Sequence, residues 1–478
     1  MTKLTQSGPV ASTSLYIGAT FVCIAAWSMF VAATPSTAGY LGLAIVLTSL
    51  LSLAADSRSG RLGPLSLTFW AFVAVWAGIA PLYQLSAGHL PWRDVPAGDL
   101  HAPAQLLTLV AALAYRIGQT VSRSRTADAP ENSPLRPRIL LGGVLLPILA
   151  FPLAALSGVS LASRFQSRDD LIEAYAAQGL EYGSSGGAML GILKTLPICI
   201  AAVGVYVVVN EIRRRRRAGE RVGLPLLLAL LVSLAAAATF ANPLSNSRFQ
   251  AFSAILMVIF ALATFRTTFA RVCLSAGMVL GLLVAYPLSA AFKNTAIATR
   301  LNFQLETFAS VDFDGFQQTV NSLWYVEQHG HTLGYHLLSA LGFFIPRSVW
   351  EDKALPASFP VAESRGYVFQ NLALPLWSEM YVEFGVIGML LVFFIIGLYS
   401  RKADLAFVSG AATRLAMVTP VLAAVQIGVL RGPLGAQIVF AATCVALTAV
   451  LYRKQGKTQS SSQDFVHFRA VHAYRDTR

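Results

Sequence analysis

The sequence predicts an all-α fold, a polytopic integral membrane helix bundle of about 12 transmembrane helices with one large extracytoplasmic loop. Three observations support this fold class. Of the 478 residues, 55% are hydrophobic and only 12% are charged, which leaves more apolar surface than a soluble domain can bury. The apolar residues form stretches of ~20, the length that crosses a bilayer. The basic residues concentrate in alternate connecting loops.

The predicted spans follow one another along the chain. The first is too long for the core of a signal peptide, so we expect it to remain as an uncleaved helix. The fourth and eighth are short, and a count of about ten to thirteen helices fits the pattern. The spans are predicted at 13–34, 38–55, 64–85, 102–118, 139–157, 188–209, 223–241, 250–265, 272–291, 383–400, 412–430 and 433–452.

The distribution of positive charge predicts the orientation of the chain. Most of the 36 Lys and Arg residues lie at the N-terminus, in the loops after even-numbered spans, and in the tail 453–478. Cytoplasmic loops carry such an excess, so both termini are predicted to be cytoplasmic and the basic tail flexible. The formal charge of +13 then reflects topology beside anionic lipid. We therefore predict a lipid bilayer and no nucleic acid as the partner of these charges.

The four cysteines indicate no special chemistry. Each lies inside an apolar stretch, without paired spacing. Residues of this kind behave as small buried hydrophobes. We predict no disulfide, no metal site and no cofactor.

Two shorter outer loops carry arginines. The loop 157–188 contains Arg164 and Arg168 ahead of a short predicted helix. Lys194 lies about two turns into the next span, and we expect its ammonium to extend outward to the interface. The turn 242–248 places Arg248 at the start of a helix, where its charge opposes the helix dipole. An anionic partner for Arg248 is therefore expected.

The large loop 292–383 contains one strongly patterned segment. Apolar side chains recur there at helical spacing, which predicts an amphipathic helix lying on the membrane surface. Asp312 or Asp314 is predicted to cap its start and Gly330 its end. Asp312-Phe313-Asp314 also spells a metal and nucleotide-sugar motif, but capping is favoured because nucleotide sugars stay inside the cell. The apolar positions are Phe313, Phe316, Val320 and Leu323.

Three residues are candidates for acid–base chemistry. Glu379 and Glu383 lie four apart, on one face of a helix that enters the membrane. A carboxylate at this boundary can have a raised pKa and accept a proton from a hydroxyl group. For Glu383 the alternative is a favourable charge at a helix N-terminus. His331 is the second candidate for an acid or base.

Six cations on the outer side are candidates for binding an anion. Arginine suits bidentate binding of phosphate oxygens, so their convergence near the bilayer predicts a site for a phosphorylated head group. In the alternative, each pairs with a nearby acid, as Arg168 would with Asp169 or Lys353 with Glu351. The six are Arg164, Arg168, Arg248, Arg300, Arg347 and Lys353.

Three segments resemble the Wzy-type O-antigen and exopolysaccharide repeat-unit polymerases. They are residues 344–353 (FIPRSVWEDK), residues 378–388 (SEMYVEFGVIG) and the turn Asn246-Ser247-Arg248. The layout, with one large loop before the last helices, is similar to that family. One departure is Ala354, where a proline usually follows the lysine; it concerns the local shape of the loop and leaves its charge unchanged.

The resemblance implies a reaction and roles for these residues. A glycan on undecaprenyl pyrophosphate would be transferred to a hydroxyl of a fresh lipid-linked repeat unit, on the outer face of a bacterial inner membrane. Arg248 and Arg347 would bind pyrophosphate, assisted by Lys353 and by either Arg164 or Arg168. Glu379 would activate the acceptor. A flippase and a chain-length regulator are the implied protein partners.

Other functions stay open from the sequence. A related ligase would use the same features. A glycosyltransferase dependent on a polyprenyl-phosphate sugar usually has acids in its first outer loop, but residues 33–37 have none. A transporter of lipid-linked sugar should show charges at the membrane midplane and structural repeats, and neither is visible in the sequence.

Overall fold

The computed structural model describes residues 18–19, 22–29, 35–92, 98–122, 135–180, 191–289, 304–370 and 372–454. Most of these residues are helical, as predicted. Arg300, the tail beyond Lys454 and much of the first predicted span lie outside the described residues. The long helices are α1 (Thr37–Ser59), α2 (Pro64–Ala87), α3 (His101–Val121), α4 (Leu141–Ala155), α6 (Leu196–Arg217), α7 (Leu224–Phe240), α8 (Arg248–Leu262), α9 (Thr268–Leu288), α10 (Gly315–His329), α13 (Leu376–Val408), α14 (Arg414–Arg431) and α15 (Leu434–Leu451).

Shorter elements flank the long helices. The short helices are α5 (Arg168–Ala176), α11 (Tyr335–Leu341) and α12 (Ser358–Ser364). Strand β1 (Leu135–Pro137) pairs antiparallel with β2 (Tyr452–Lys454). This ribbon ties the segment before α4 to the end of α15.

Eight helices of the described chain are long and apolar enough to cross a membrane, and three more are shorter and apolar. The structure thus supports a membrane protein, and the count of twelve spans stays a prediction. The apolar window of α2 is wholly buried, packed by α1, α9, α13 and α14. A helix that is apolar on every side belongs in such a central position.

Helices α3 and α13 cross with their backbones in contact. A methyl group on Gly118 would lie 2.1 Å from the carbonyl oxygen of Phe394. A methyl group on Gly397 would lie 2.1 Å from the carbonyl oxygen of Tyr115. Small residues permit this close approach between apolar helices. The crossing fixes α13, which carries Glu379 near its N-terminal end.

The C-terminal end of α13 carries a buried ion network. Asp56 accepts two hydrogen bonds from Arg401, at 2.8 and 2.9 Å, and one from Arg116 at 3.0 Å. Arg401 also donates to the carbonyl oxygen of Arg61 at 2.7 Å. Asp56 and Arg401 are both buried. We call Asp56, Arg116 and Arg401 the Asp56 network; it joins α1, α3 and α13.

A neighbouring carboxylate caps α2. Asp404 accepts hydrogen bonds from the backbone amides of Leu65 and Ser66, each at 2.9 Å. A carboxylate at a helix N-terminus satisfies amides that have no partner within the helix. The Asp404 side chain fits beside Gly63 only because this glycine lacks a side chain. A methyl group on Gly63 would lie 2.5 Å from Asp404.

Helix α10 forms as predicted, but its predicted location on the membrane surface is wrong. All four apolar positions are buried, and so are the polar residues Gln318, Asn321 and Ser322 on its other sides. A surface helix would leave its polar face in water. This helix instead packs against α13, α3 and α12.

The predicted caps of α10 are half right. Gly330 ends the helix with a positive φ of 79°, and its amide bonds the carbonyl oxygen of Val326. Asp314 occupies the N-cap position, directly before Gly315, but its carboxylate makes no capping hydrogen bond. Lys194 differs from expectation as well. Its side chain is buried, with the ammonium 5.9 Å from the Tyr175 ring of α5.

Candidate functional site

The turn between α7 and α8 places Arg248. Asn246 closes the turn by donating hydrogen bonds to the carbonyl oxygens of Phe240, at 2.7 Å, and Asn242, at 3.0 Å. Ser247 accepts a hydrogen bond from the amide of Gln250 and so caps the helix. Serine is among the preferred residues at this position. In the motif Asn246-Ser247-Arg248, the first two residues thus have structural roles: Asn246 closes the turn and Ser247 caps the helix.

Arg248 has the anionic partner that its position predicts. Its guanidinium forms an ion pair with Asp312, and its side chain is 8% exposed. The guanidinium carbon lies 4.9 Å from the centre of the Tyr286 ring, which adds a cation–π contact. Nη1 of Arg248 donates to no acceptor among the residues that the structure describes. This buried cation therefore has a donor without a partner among the described residues.

Arg431, the last residue of α14, is a functional candidate that the sequence analysis did not single out. Its guanidinium carbon lies 4.8 Å from the centre of the ring of Phe249, the residue that follows Arg248 in the sequence. It donates to the carbonyl oxygen of Asp312 at 3.4 Å, and its Nη2 lies 3.8 Å from Oδ1 of Asp314. Its place in a short turn between two apolar helices, directly before Gly432 and Pro433, was the available signal. We call Arg248, Asp312, Asp314 and Arg431 the arginine–aspartate cluster.

Asp314 is the most deeply buried member of this cluster. Its side chain is 1% exposed, and Oδ2 accepts a hydrogen bond from Nε1 of Trp92 at 2.8 Å. Burial raises the pKa of the Asp314 carboxyl to about 6, although Arg431 and the Trp92 hydrogen bond oppose this effect. The carboxyl is therefore poised to change its charge in mildly acidic conditions.

Asp314 is expected to make stability depend on pH. Its folded-state pKa exceeds the ordinary value of 3.8, so its contribution to stability is complete below pH 3.8 and is lost as pH rises through about 6. Between about pH 5 and pH 7, the wild type should lose about 1–2 kcal/mol relative to Asp314→Asn. Thermal unfolding of both proteins across this range provides the measurement. If the wild type and Asp314→Asn show the same dependence of stability on pH, the predicted role of Asp314 is wrong.

Glu379 lies beside the turn that carries Arg431. Its side chain is 1% exposed, and Oε2 accepts a hydrogen bond from the amide of Leu434 at 2.8 Å. Oε1 has no donor in the described part of the chain. The turn itself packs tightly on the segment before α13, since a methyl group on Gly432 would lie 1.8 Å from the carbonyl oxygen of Leu374. Glu379 is thus a buried carboxyl with one oxygen that lacks a donor among the described residues.

Glu383 is placed to stabilise the loop structure. It accepts hydrogen bonds from Oγ1 of Thr332 at 2.9 Å and from the amide of Leu337 at 3.2 Å. Leu337 belongs to the first turn of α11, so the favourable charge at a helix N-terminus is present, on α11 rather than on α13. His331 is exposed, with its ring 5.5 Å from Tyr381. No hydrogen bond between His331 and Glu379 occurs among the described residues.

Arg347 and Lys353 bind backbone carbonyls of their own loop. Arg347 donates to the carbonyl oxygen of Lys353 at 2.5 Å. Lys353 donates to the carbonyl oxygens of Gly342, Phe343 and Ile345, at 3.0 to 3.2 Å, just beyond the end of α11. Burial, and then Arg347, lowers the pKa of Lys353. Within the described ranges, the structure shows no contact between Arg347 and Arg248, so the predicted convergence of these two is not seen.

Arg164 approaches the turn before Arg248 from another side. Its side chain is 1% exposed, it donates to the hydroxyl of Tyr175, and its carbonyl oxygen accepts from Asn242 at 3.0 Å. Its Nε and Nη1 have no acceptor among the residues described. Arg168 is exposed at the start of α5. Of the six predicted cations, Arg164 and Arg248 thus flank one turn.

Comparison with known proteins adds nothing to these observations. No family model, no curated protein and no solved structure matches the chain. Among the described residues, no group of three or more His, Cys, Asp or Glu side chains could hold a metal ion.

Proposed function

We propose that this chain is a membrane glycosyltransferase that polymerises undecaprenyl-pyrophosphate-linked oligosaccharide repeat units into O-antigen, capsular polysaccharide or exopolysaccharide. One observation carries the proposal. Arg248 and Arg431, from helices distant in sequence, flank the same pair of aspartates at the end of the bundle where the buried Glu379 retains a free oxygen. A leaving group with two phosphates needs cations, and an attacking hydroxyl needs a base.

In the proposed reaction, the acceptor hydroxyl attacks the anomeric carbon of the growing glycan. The bond between this carbon and the pyrophosphate oxygen breaks, and the electron pair leaves with undecaprenyl pyrophosphate. Glu379 takes the proton of the hydroxyl. Arg248 and Arg431 neutralise the departing charge, replacing part of their contact with the aspartates by phosphate oxygens. Arg347 and Lys353 hold the loop in shape, and Arg164 supplies a further cation beside the turn that carries Arg248.

The proposed setting is a bacterial inner membrane, with about 12 spans and both termini cytoplasmic. Support comes from the eight long apolar helices, the three shorter ones and the helical residues 22–29. In this orientation Glu379 lies at the outer end of α13 and the Asp56 network at its inner end. The resemblance of residues 344–353 and 378–388 to Wzy-type polymerases favours the same reaction. A flippase and a chain-length regulator would be the partners.

Reconstitution tests the proposal directly. The full chain is placed in vesicles with lipid-linked repeat units extracted from the source cells, and the glycans are separated by gel electrophoresis. We expect a ladder of lengths and release of undecaprenyl pyrophosphate. A transporter would move the glycan across the bilayer without lengthening it, and a ligase would transfer it once to another acceptor. Either result, without a ladder, would reject the polymerase.

A further inference from the structure

Three aromatic side chains lie together beside the arginine–aspartate cluster. The rings of Trp92 and Phe369 are nearly parallel, with centroids 6.0 Å apart and an angle of 10°. The ring of Tyr367 lies 5.8 Å from that of Trp92. Phe369 is 57% exposed, and the other two are partly exposed. We call Trp92, Tyr367 and Phe369 the aromatic platform.

Hydrogen bonds hold two members of this platform in place. Gln317 of α10 accepts from the backbone amide of Trp92 at 2.8 Å and donates to its carbonyl oxygen at 3.2 Å. Gln317 and Asn321 both donate to the hydroxyl oxygen of Tyr367, each at 3.3 Å. Trp92 and Tyr367 are thus held in place by a buried helix, as a preorganised binding surface requires.

The platform is joined to the proposed reaction centre by one hydrogen bond. Nε1 of Trp92 donates to Asp314, which lies 3.8 Å from Arg431. A group stacked on the platform would therefore adjoin a phosphate bound by Arg431. The hydroxyl of Tyr367 accepts two hydrogen bonds, and its own proton has no acceptor in the part of the chain that the structure covers. It is available to a ligand at the edge of the rings.

We propose that the aromatic platform binds the sugar rings of the substrate next to its pyrophosphate. A pyranose ring has an apolar face of C–H groups and a rim of hydroxyls. The platform offers the matching pair, the exposed ring of Phe369 beside two partly exposed rings and a hydroxyl donor at their edge. The inference rests on the proposed function, and it adds a sugar subsite to the phosphate site.

Alternatively, the rings belong to the belt of Trp and Tyr that marks a membrane interface. Two features favour the sugar. Trp92 and Tyr367 are held by amide side chains of α10, and Trp92 also donates to Asp314, the acid that faces Arg431. Anchoring in lipid headgroups needs neither contact. The two occupants predict different results when the probe is a sugar without lipid or phosphate.

The test uses the purified full chain in lipid nanodiscs and the repeat-unit oligosaccharide released from its lipid, which carries no phosphate. Calorimetry gives its dissociation constant for the wild type and for Phe369→Ala. Loss of one aromatic contact should weaken binding about 2- to 10-fold. Phe344→Ala is the matched control, because Phe344 is an exposed phenylalanine of the same loop, 72% accessible, and should bind as the wild type does.

Each outcome decides the proposal. The sugar subsite is rejected if the wild type does not bind the oligosaccharide, if Phe369→Ala binds it equally well, or if Phe344→Ala weakens binding as much. Arg248→Ala should still bind this phosphate-free probe. A chain that binds the oligosaccharide at the platform but builds no polymer in vesicles would retain the sugar subsite and lose the polymerase.

Discussion

Arg248→Ala is expected to abolish long-chain polymer while single repeat units remain on their lipid. Arg248 is a buried cation with a donor to spare, next to a second cation, Arg431. Removing one group that stabilises charge in a transition state typically costs ~10²–10³ in rate. Chain-length ladders from cells that carry the variant give the measurement, together with its rate in vesicles.

Two further variants separate catalysis from folding in this experiment. Arg248→Ala leaves Asp312 without its guanidinium, so the double variant Arg248→Ala with Asp312→Ala should restore stability but not polymer. Arg347→Ala is the matched arginine control. The sequence motifs give Arg347 the same role as Arg248, yet its contacts are with carbonyl oxygens of its own loop. We expect Arg347→Ala to retain chain-length ladders. If Arg248→Ala gives normal ladders while Arg347→Ala gives none, the assignment of the site to Arg248 is wrong.

Hydrophobicity alone predicted the positions of helices whose apolar stretches are not interrupted by a charged residue. The prediction 38–55 corresponds to Thr37–Ser59, and 223–241 corresponds to Leu224–Phe240. The prediction 383–400 missed the start of α13 at Leu376. The missed stretch, 376–382, contains Glu379, whose charge interrupts the apolar pattern, and Glu383 is the first residue of the predicted span. In the fold both accept backbone amides of other helices, and these partners are invisible in a local pattern.

At the site, too, local features could be predicted from the sequence, whereas contacts between residues distant in sequence could not. The turn at Arg248 was recognisable because its cap and its charge are local. Arg431 was not, because its partners Asp312 and Asp314 are far away in sequence. The location of α10 was misjudged because its polar side chains read as a face for water. They are instead satisfied inside the protein, for example Thr319 by Trp377 and Ser378.

The largest loss of stability is expected from Asp56→Ala at the other end of α13. This change leaves Arg401 buried without its carboxylate. Removing one partner of a buried ion pair typically costs about 3–5 kcal/mol. The thermal midpoint of the purified protein, followed by tryptophan fluorescence, should fall well below that of the wild type. Asp169→Ala, at an exposed position on α5, should leave it unchanged.

Replacing both Asp56 and Arg401 shows whether the loss of stability comes from the lost ion pair or from the buried guanidinium left without a partner. If the cost of Asp56→Ala comes from the unpaired guanidinium, then Asp56→Leu with Arg401→Met should recover most of the stability, because apolar residues of similar volume need no partner. A double variant as unstable as Asp56→Ala would contradict this account. The recovered protein should also retain polymer formation, since Glu379 and the arginine–aspartate cluster lie at the opposite end of the bundle and contribute no group to the Asp56 network.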